Sequence, residues 1–281
     1  MKKLLAVILF CSLIFCAFSQ NIKKPFSPAD VLKEKNLSES RVSPDDKWVV
    51  YSLSDVDTAK DKSITHLWML SLTSDESIQL TYGAESASSP QWSPDNKFIS
   101  FLSSRESKNG SQIWLMDRRG GEASKLTEVK GELNAYEWSP DSKKLVLLIR
   151  DVENKDKDKD KDEDKTPLPI RIDSYHFKQD IEGYLHHLHT HLYLFDLDTK
   201  KLDTLTKGNT DEQTPEWSPD GKVIAFVSNR SAEPEKNDNS DIFTVEAKPK
   251  VQITQLTTWK GHDINPKWSP DGKFIAYLRS T

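Results

Sequence analysis

Trp217-Ser218-Pro219-Asp220-Gly221-Lys222-Val223-Ile224-Ala225-Phe226-Val227-Ser228 is the stretch that decides the fold. Trp217 closes a short strand, and Ser218-Pro219-Asp220-Gly221 predicts a tight turn. Proline presets φ at the second turn position, and the aspartate side chain can accept backbone amides ahead of it. Lys222–Ser228 is rich in β-formers and follows the turn directly, so the two segments form a hairpin. Working outward, Asp241–Val245 is a third strand and Val251–Leu256 a fourth.

The same unit recurs. Trp-Ser-Pro-Asp boxes stand at Trp92-Ser93-Pro94-Asp95, Trp138-Ser139-Pro140-Asp141, Trp217-Ser218-Pro219-Asp220 and Trp268-Ser269-Pro270-Asp271. Each is preceded by a Leu-Thr pair: Leu80-Thr81, Leu126-Thr127, Leu205-Thr206 and Leu256-Thr257. The Ser of the box always lies twelve residues after the Thr. A weaker copy, Val42-Ser43-Pro44-Asp45, opens the series. Fixed spacing recurring at roughly 50 residues marks a repeat architecture. Repeats of four short antiparallel strands arranged radially make an all-β fold, a β-propeller of TolB/WD40-like blades. Phe98–Leu102, Gln112–Met116 and Ala123–Leu126 supply strands of one further blade; Trp48–Tyr51, His66–Leu70 and Ile78–Leu80 supply those of the first. The tryptophans fall mostly at blade positions, where packing between blades is expected rather than a ligand cage.

The spacing counts four complete blades over residues 42–281 and a fifth that stops after the strand Lys273–Leu278. An open half-blade exposes unpaired amides, so the expectation is a fragment of a longer protein, or a protomer completed in a homo-oligomer. One blade is stretched: about 40 residues separate Lys144–Ile149 from His191–Phe195, where sister blades use 9 to 14. Residues 151–166 alternate lysine with acids and bury too little to offset ordering entropy, which predicts a solvated, disordered loop. Residues 167–190 carry aromatics and glycine and should be ordered. Ahead of the blades, residues 20–41 form a lead in which Ser27-Pro28-Ala29-Asp30 starts a short helix ending near Asn36.

Residues 1–19 have the form of a secretory signal: Lys2 and Lys3, an apolar run Leu4–Phe15, then Ala17-Phe18-Ser19 before Gln20. The mature chain is expected to be exported, to the periplasm or beyond, and not to be membrane-bound. Cys11 and Cys16 leave with the signal, so a packed core must replace disulfides. Without Lys2 and Lys3, 37 of the 39 basic side chains face 44 acidic ones, a formal charge of −7. That balance speaks against a nucleic-acid partner.

Blades of the form Trp-Ser-Pro-Asp-Gly-Lys-x-Ile-Ala-Phe that end in Leu-Thr resemble those of TolB-type propellers and of the prolyl oligopeptidase family of serine peptidases. The insertion separates the two. Arg171-Ile172-Asp173-Ser174-Tyr175-His176-Phe177-Lys178-Gln179-Asp180-Ile181-Glu182-Gly183-Tyr184, then His191-Leu192-Tyr193, is similar to a segment of the acylaminoacyl-peptidase and dipeptidyl-peptidase branch. Ile181 stands where that branch has its first glycine, and His176 or Lys178 stands near its arginine. The resemblance implies a seven-bladed propeller that gates peptide access to an α/β-hydrolase domain bearing a Ser-Asp-His triad. No Gly-x-Ser-x-Gly occurs in the chain, so no catalytic residue is assigned here and the chain is expected to be inactive alone. A TolB-like binding propeller serving protein contacts in the periplasm is the alternative.

Asp180, Glu182 and Tyr184 are the candidate substrate-binding residues. The two acids are able to meet a substrate amine by charge pairing; turn roles for Asp180 and Gly183 and packing roles for Tyr175 and Tyr184 are the competing reading. His187, His189 and His191, with His186 beside them, form a weak metal candidate, since alternate strand residues share a face. No acidic ligands are patterned around them, and no cofactor is expected. The box aspartates read as turn residues rather than calcium ligands.

Overall fold

The computed structural model describes residues 25–152, 172–180, 183, 184 and 188–280. The expected signal peptide, the charged tract after residue 152, Glu182 and His187 lie outside the described residues. Two units separate. The smaller holds residues 25–35 and 55–63 of the described chain; the larger holds 36–54 and everything from 64 onward.

In the smaller unit α1 (Pro28–Val31) is a single turn. Asp30 Oδ2 accepts the Ser27 backbone N–H at 2.9 Å and its hydroxyl at 2.6 Å, so the expected cap forms. The helix stops well before Asn36, because Asn36–Val42 is a strand. β1 (Asn36–Val42) pairs with β2 (Trp48–Asp57), so the first sheet begins inside the stretch read from sequence as a lead.

The first sheet continues with β3 (Lys62–Ser71) and β4 (Ser77–Gln79). The second is β5 (Ser88–Trp92), β6 (Phe98–Ser103), β7 (Gln112–Asp117) and β8 (Ser124–Lys125). The third is β9 (Glu132–Trp138), β10 (Lys144–Arg150), β13 (Thr190–Asp196) and β14 (Leu202–Thr204), interrupted by the small hairpin β11 (Lys178–Gln179) and β12 (Gly183–Tyr184). The fourth is β15 (Glu212–Trp217), β16 (Val223–Ser228), β17 (Asp241–Glu246) and β18 (Thr254–Gln255). β19 (His262–Trp268) and β20 (Ile275–Ser280) pair alone. Every four-stranded sheet is an antiparallel meander, as the repeat predicts.

The box earns its spacing through hydrogen bonds. In the fourth sheet Ser218 Oγ donates to Asp220 Oδ1 at 2.7 Å and accepts the Val223 N–H at 2.9 Å, while Asp220 Oδ1 accepts the Lys222 N–H at 3.1 Å. The same net forms around Ser43, Ser93, Ser139 and Ser269. The aspartates are turn residues, with carboxyls held below the usual range by the neighbouring serine and backbone donors.

The Leu-Thr pair ends the fourth strand. Thr81, Thr127, Thr206 and Thr257 each accept the N–H of the third strand (Leu67, Ile113, Leu192, Ile242) at 2.9 Å through Oγ1. The side chain thus takes the place of a backbone acceptor. At its C-terminal end the ladder therefore stops before Leu256 in β18 and before Leu126 in β8.

Tryptophans join successive sheets. Trp92 Nε1 donates to Arg41 O at 3.0 Å, and Trp217 Nε1 to Glu137 O at 3.2 Å. Trp138 donates to Ser100 Oγ at 2.8 Å, and Ser100 in turn donates to Gln91 O. Between the second and third sheets lie Leu102, Ile113, Leu145, Leu147 and Phe195; between the third and fourth lie Val146, Leu192, Ile224, Phe226 and Phe243. Packing between sheets is thus the role of Trp92, Trp138 and Trp217, as expected from their positions.

Candidate functional site

Polar side chains line several cavities among the described residues, and two of these bear on the candidate site. The first lies where β10 leaves the third sheet and β13 returns. His191, at the start of β13, is buried and its Nδ1 stands 2.9 Å from Glu212 Oε2. Glu212 is itself buried at the start of β15, where Thr206 donates to it at 2.7 Å and Arg230 pairs with it. A buried carboxyl group needs hydrogen-bond partners, because leaving its oxygens unsatisfied is costly.

His189 lies one step outside. Its Nδ1 is 3.3 Å from Asp211 Oδ2, while Asp211 Oδ1 accepts the Thr190 N–H at 2.7 Å. The Asp211 contact raises the His189 pKa against the opposing effect of burial. Burial pushes the Asp211 carboxyl up, but His189 and the Thr190 amide bring it below its ordinary value. His176, His189, Asp211, Asn229, Glu235 and His262 contribute to the wall of a cavity of about 240 Å³. The insertion reaches the same place: Tyr175 N–H donates to Glu235 Oε2 at 2.8 Å, and Lys236 Nζ sits 5.4 Å from the centre of the Tyr175 ring.

The candidates from sequence fare unevenly. His189 and His191 are brought together, with ring centres 6.4 Å apart, yet each nitrogen described faces a different carboxylate. Carboxylates do surround them, which corrects the reading that no acids are patterned there: Asp211 and Glu212 arrive from the next sheet. Among the described residues no group of three or more His, Cys, Asp or Glu is placed to hold a metal ion. Asp180 is exposed at the turn between β11 and β12, and Tyr184 is placed in β12 by its backbone. Glu212 and Arg230 were missed. The available signal was position, since Glu212 opens the strand that ends in the Trp217 box.

The second place is a cavity of about 580 Å³ against the first strands of the third, fourth and fifth units. Glu137, Glu216 and Lys267 line it, each the residue before its box tryptophan. Lys267 pairs with Glu216. Glu137 is pushed up to about 7, chiefly by burial and then by the Glu216 charge. The bulged residues Thr214 and Asn265, at φ 43° and 54°, each precede a proline and share this wall.

Comparison with known proteins fits the geometry. Residues 175–231, from the insertion through β16, match the family described as the dipeptidyl peptidase IV N-terminal region. The uncharacterized peptidase YuxL of Bacillus subtilis is 26% identical over 222 residues, 79% of this chain and 34% of the relative. The acylaminoacyl peptidase of Pyrococcus horikoshii superposes with a TM-score of 0.61 at 22% identity, over 81% of this chain and 33% of that one. A putative TolB of Agrobacterium tumefaciens superposes with a TM-score of 0.57 at 20% identity, over 86% of this chain and 69% of that one. The chain thus spans about a third of the length of these peptidases. With propeller sheets throughout and a family match that begins in the insertion, the chain is similar to the N-terminal propeller regions of dipeptidyl-peptidase-IV-like serine peptidases.

Proposed function

We propose that this chain is the substrate-gating propeller portion of an exported serine peptidase that cleaves short peptides. The hydrolytic serine belongs to an α/β-hydrolase domain outside these residues. The observation that carries the reading is the insertion between β10 and β13. It coincides with the start of the family match at residue 175 and rests on the Glu235 turn beside the histidine-lined cavity. A propeller with such a cavity binds and filters, while the nucleophile elbow that would act is not in this sequence.

Treating the whole protein with a tagged fluorophosphonate tests this. The expected result is labelling of a serine outside residues 1–281, with cleavage of short chromogenic peptides but not of the same bond inside a folded protein. The 281-residue chain alone should take no label. An N-terminus beginning at Gln20 on the periplasmic or secreted protein would support export.

A TolB-like binding role is the second reading, favoured by the shared sheet architecture over 86% of the chain. A whole protein that takes no fluorophosphonate and hydrolyses no peptide would favour it over the first.

A further inference from the structure

The junctions between successive sheets are not closed alike. Counting back three residues from the Leu of the second, third and fourth Leu-Thr pairs gives Ala123, Leu202 and Ile253; counting back five from the last two pairs gives Lys200 and Val251. Ala123 is buried in the junction between the first and second sheets, and Val251 and Ile253 pack into that between the third and fourth. At the junction between the second and third sheets the equivalent Leu202 is 37% exposed and Lys200 is exposed too. The result is a groove of about 560 Å³. Its floor is apolar: Val129, Ile149 and Phe195 are buried there, with Tyr193 half-buried on one wall.

The rim is basic in a protein whose formal charge is −5. Lys125 is neutralised by Glu128, which Asn109 also holds at 3.1 Å. Lys130 and Lys200 are exposed and have no carboxylate partner among the described residues. An apolar floor missing its plug, beneath two unpaired cations, selects a ligand with an apolar side chain flanked by carboxylates.

We propose that this groove docks an extended acidic segment of a partner protein. One apolar side chain seats where Val251 and Ile253 plug the next junction, and flanking carboxylates meet Lys130 and Lys200. The docking is independent of the peptidase reading, since it uses neither the histidine-lined cavity nor the insertion.

The test is fluorescence anisotropy on the full chain with a labelled, capped Asp-Glu-Leu-Phe-Asp-Glu peptide. Saturable binding is expected. It should weaken about tenfold for the Asn-Gln-Leu-Phe-Asn-Gln analogue and for the Lys130→Glu/Lys200→Glu double variant, the scale set by two exposed charge pairs. Leu202→Trp, which fills the groove from its lip, should abolish binding while circular dichroism stays unchanged. Equal affinity for the two peptides, or a double variant that binds as well as the parent, overturns the proposal. So does tighter saturable binding of decanoate that displaces the peptide, which would make the groove a site for acyl carboxylates.

Discussion

The Thr206 hydroxyl donates to the Glu212 carboxylate at 2.7 Å while accepting the Leu192 N–H at 2.9 Å. One side chain therefore ends the fourth strand of the third sheet and satisfies a buried charge at the start of the fourth. Replacing it with an isosteric apolar residue strips a donor from Glu212 and an acceptor from Leu192. Thr206→Val should cost about 1–3 kcal/mol, the range for leaving buried polar groups unsatisfied. Thr206→Ser keeps the hydroxyl and should recover most of that loss. Urea denaturation of the three proteins decides it, and a Val variant as stable as the parent would remove the threonine from the account.

Gly131 opens the passage from the second to the third sheet at φ +106°, a conformation that L side chains rarely adopt. A Cβ there would lie 2.5 Å from the Arg150 carbonyl oxygen and 2.6 Å from Ile149 Cγ2. Gly131→Ala combines backbone strain with a clash against β10, so a loss of about 2 kcal/mol or more is expected. Gly208→Ala, where φ is also positive but the space is open, should cost less. Thermal unfolding of the pair separates the clash from the strain.

The box serine predicts a gradient. Ser218 is buried and serves both Asp220 and the Val223 amide; Ser269 makes the same bonds in the lone β19–β20 pair, where it is only half-buried. Ser218→Ala should cost about 1–2 kcal/mol and Ser269→Ala distinctly less, because water can replace the lost bonds at the exposed turn. Equal losses in urea titrations would mean that burial is not what sets the value of the motif.

Much of this was legible in the sequence. The twelve-residue spacing located the second, third and fourth sheets and the β19–β20 pair, and Pro219 and Asp220 announced the hairpin, because turn geometry is dictated locally. The truncated strands were not legible, since whether Leu256 stays in the ladder depends on Thr257 reaching Ile242. Nor was the strand Asn36–Val42, seven residues of which Leu37 and Val42 are both exposed, so burial wrote no pattern there. Glu212 was hidden for the opposite reason. A buried acid looks like any surface acid until His191, Thr206 and Arg230, up to 21 residues away, are placed around it.

Glu137 supplies the last prediction. Its carboxyl is raised to about 7 from an ordinary 4.5 by burial and by Glu216, while Lys267 and Arg41 pull the other way. The native state therefore binds a proton that the unfolded chain releases between those two values. Stability contributed by protonated Glu137 is fully present below about pH 4.5 and is lost as pH rises through about 7, by up to about 3 kcal/mol. Glu137→Gln mimics the protonated group and should flatten that dependence. Between pH 5 and 8 the parent's urea midpoint should fall relative to that of the variant, with the two converging at the acid end. Lys267→Met removes a favourable charge from the same cavity, so it should deepen the alkaline loss in the parent background and have a smaller effect alongside Glu137→Gln. Parallel pH curves for parent and Glu137→Gln would show that the first-strand wall holds Glu137 ionised, and with it that water or another cation reaches the cavity.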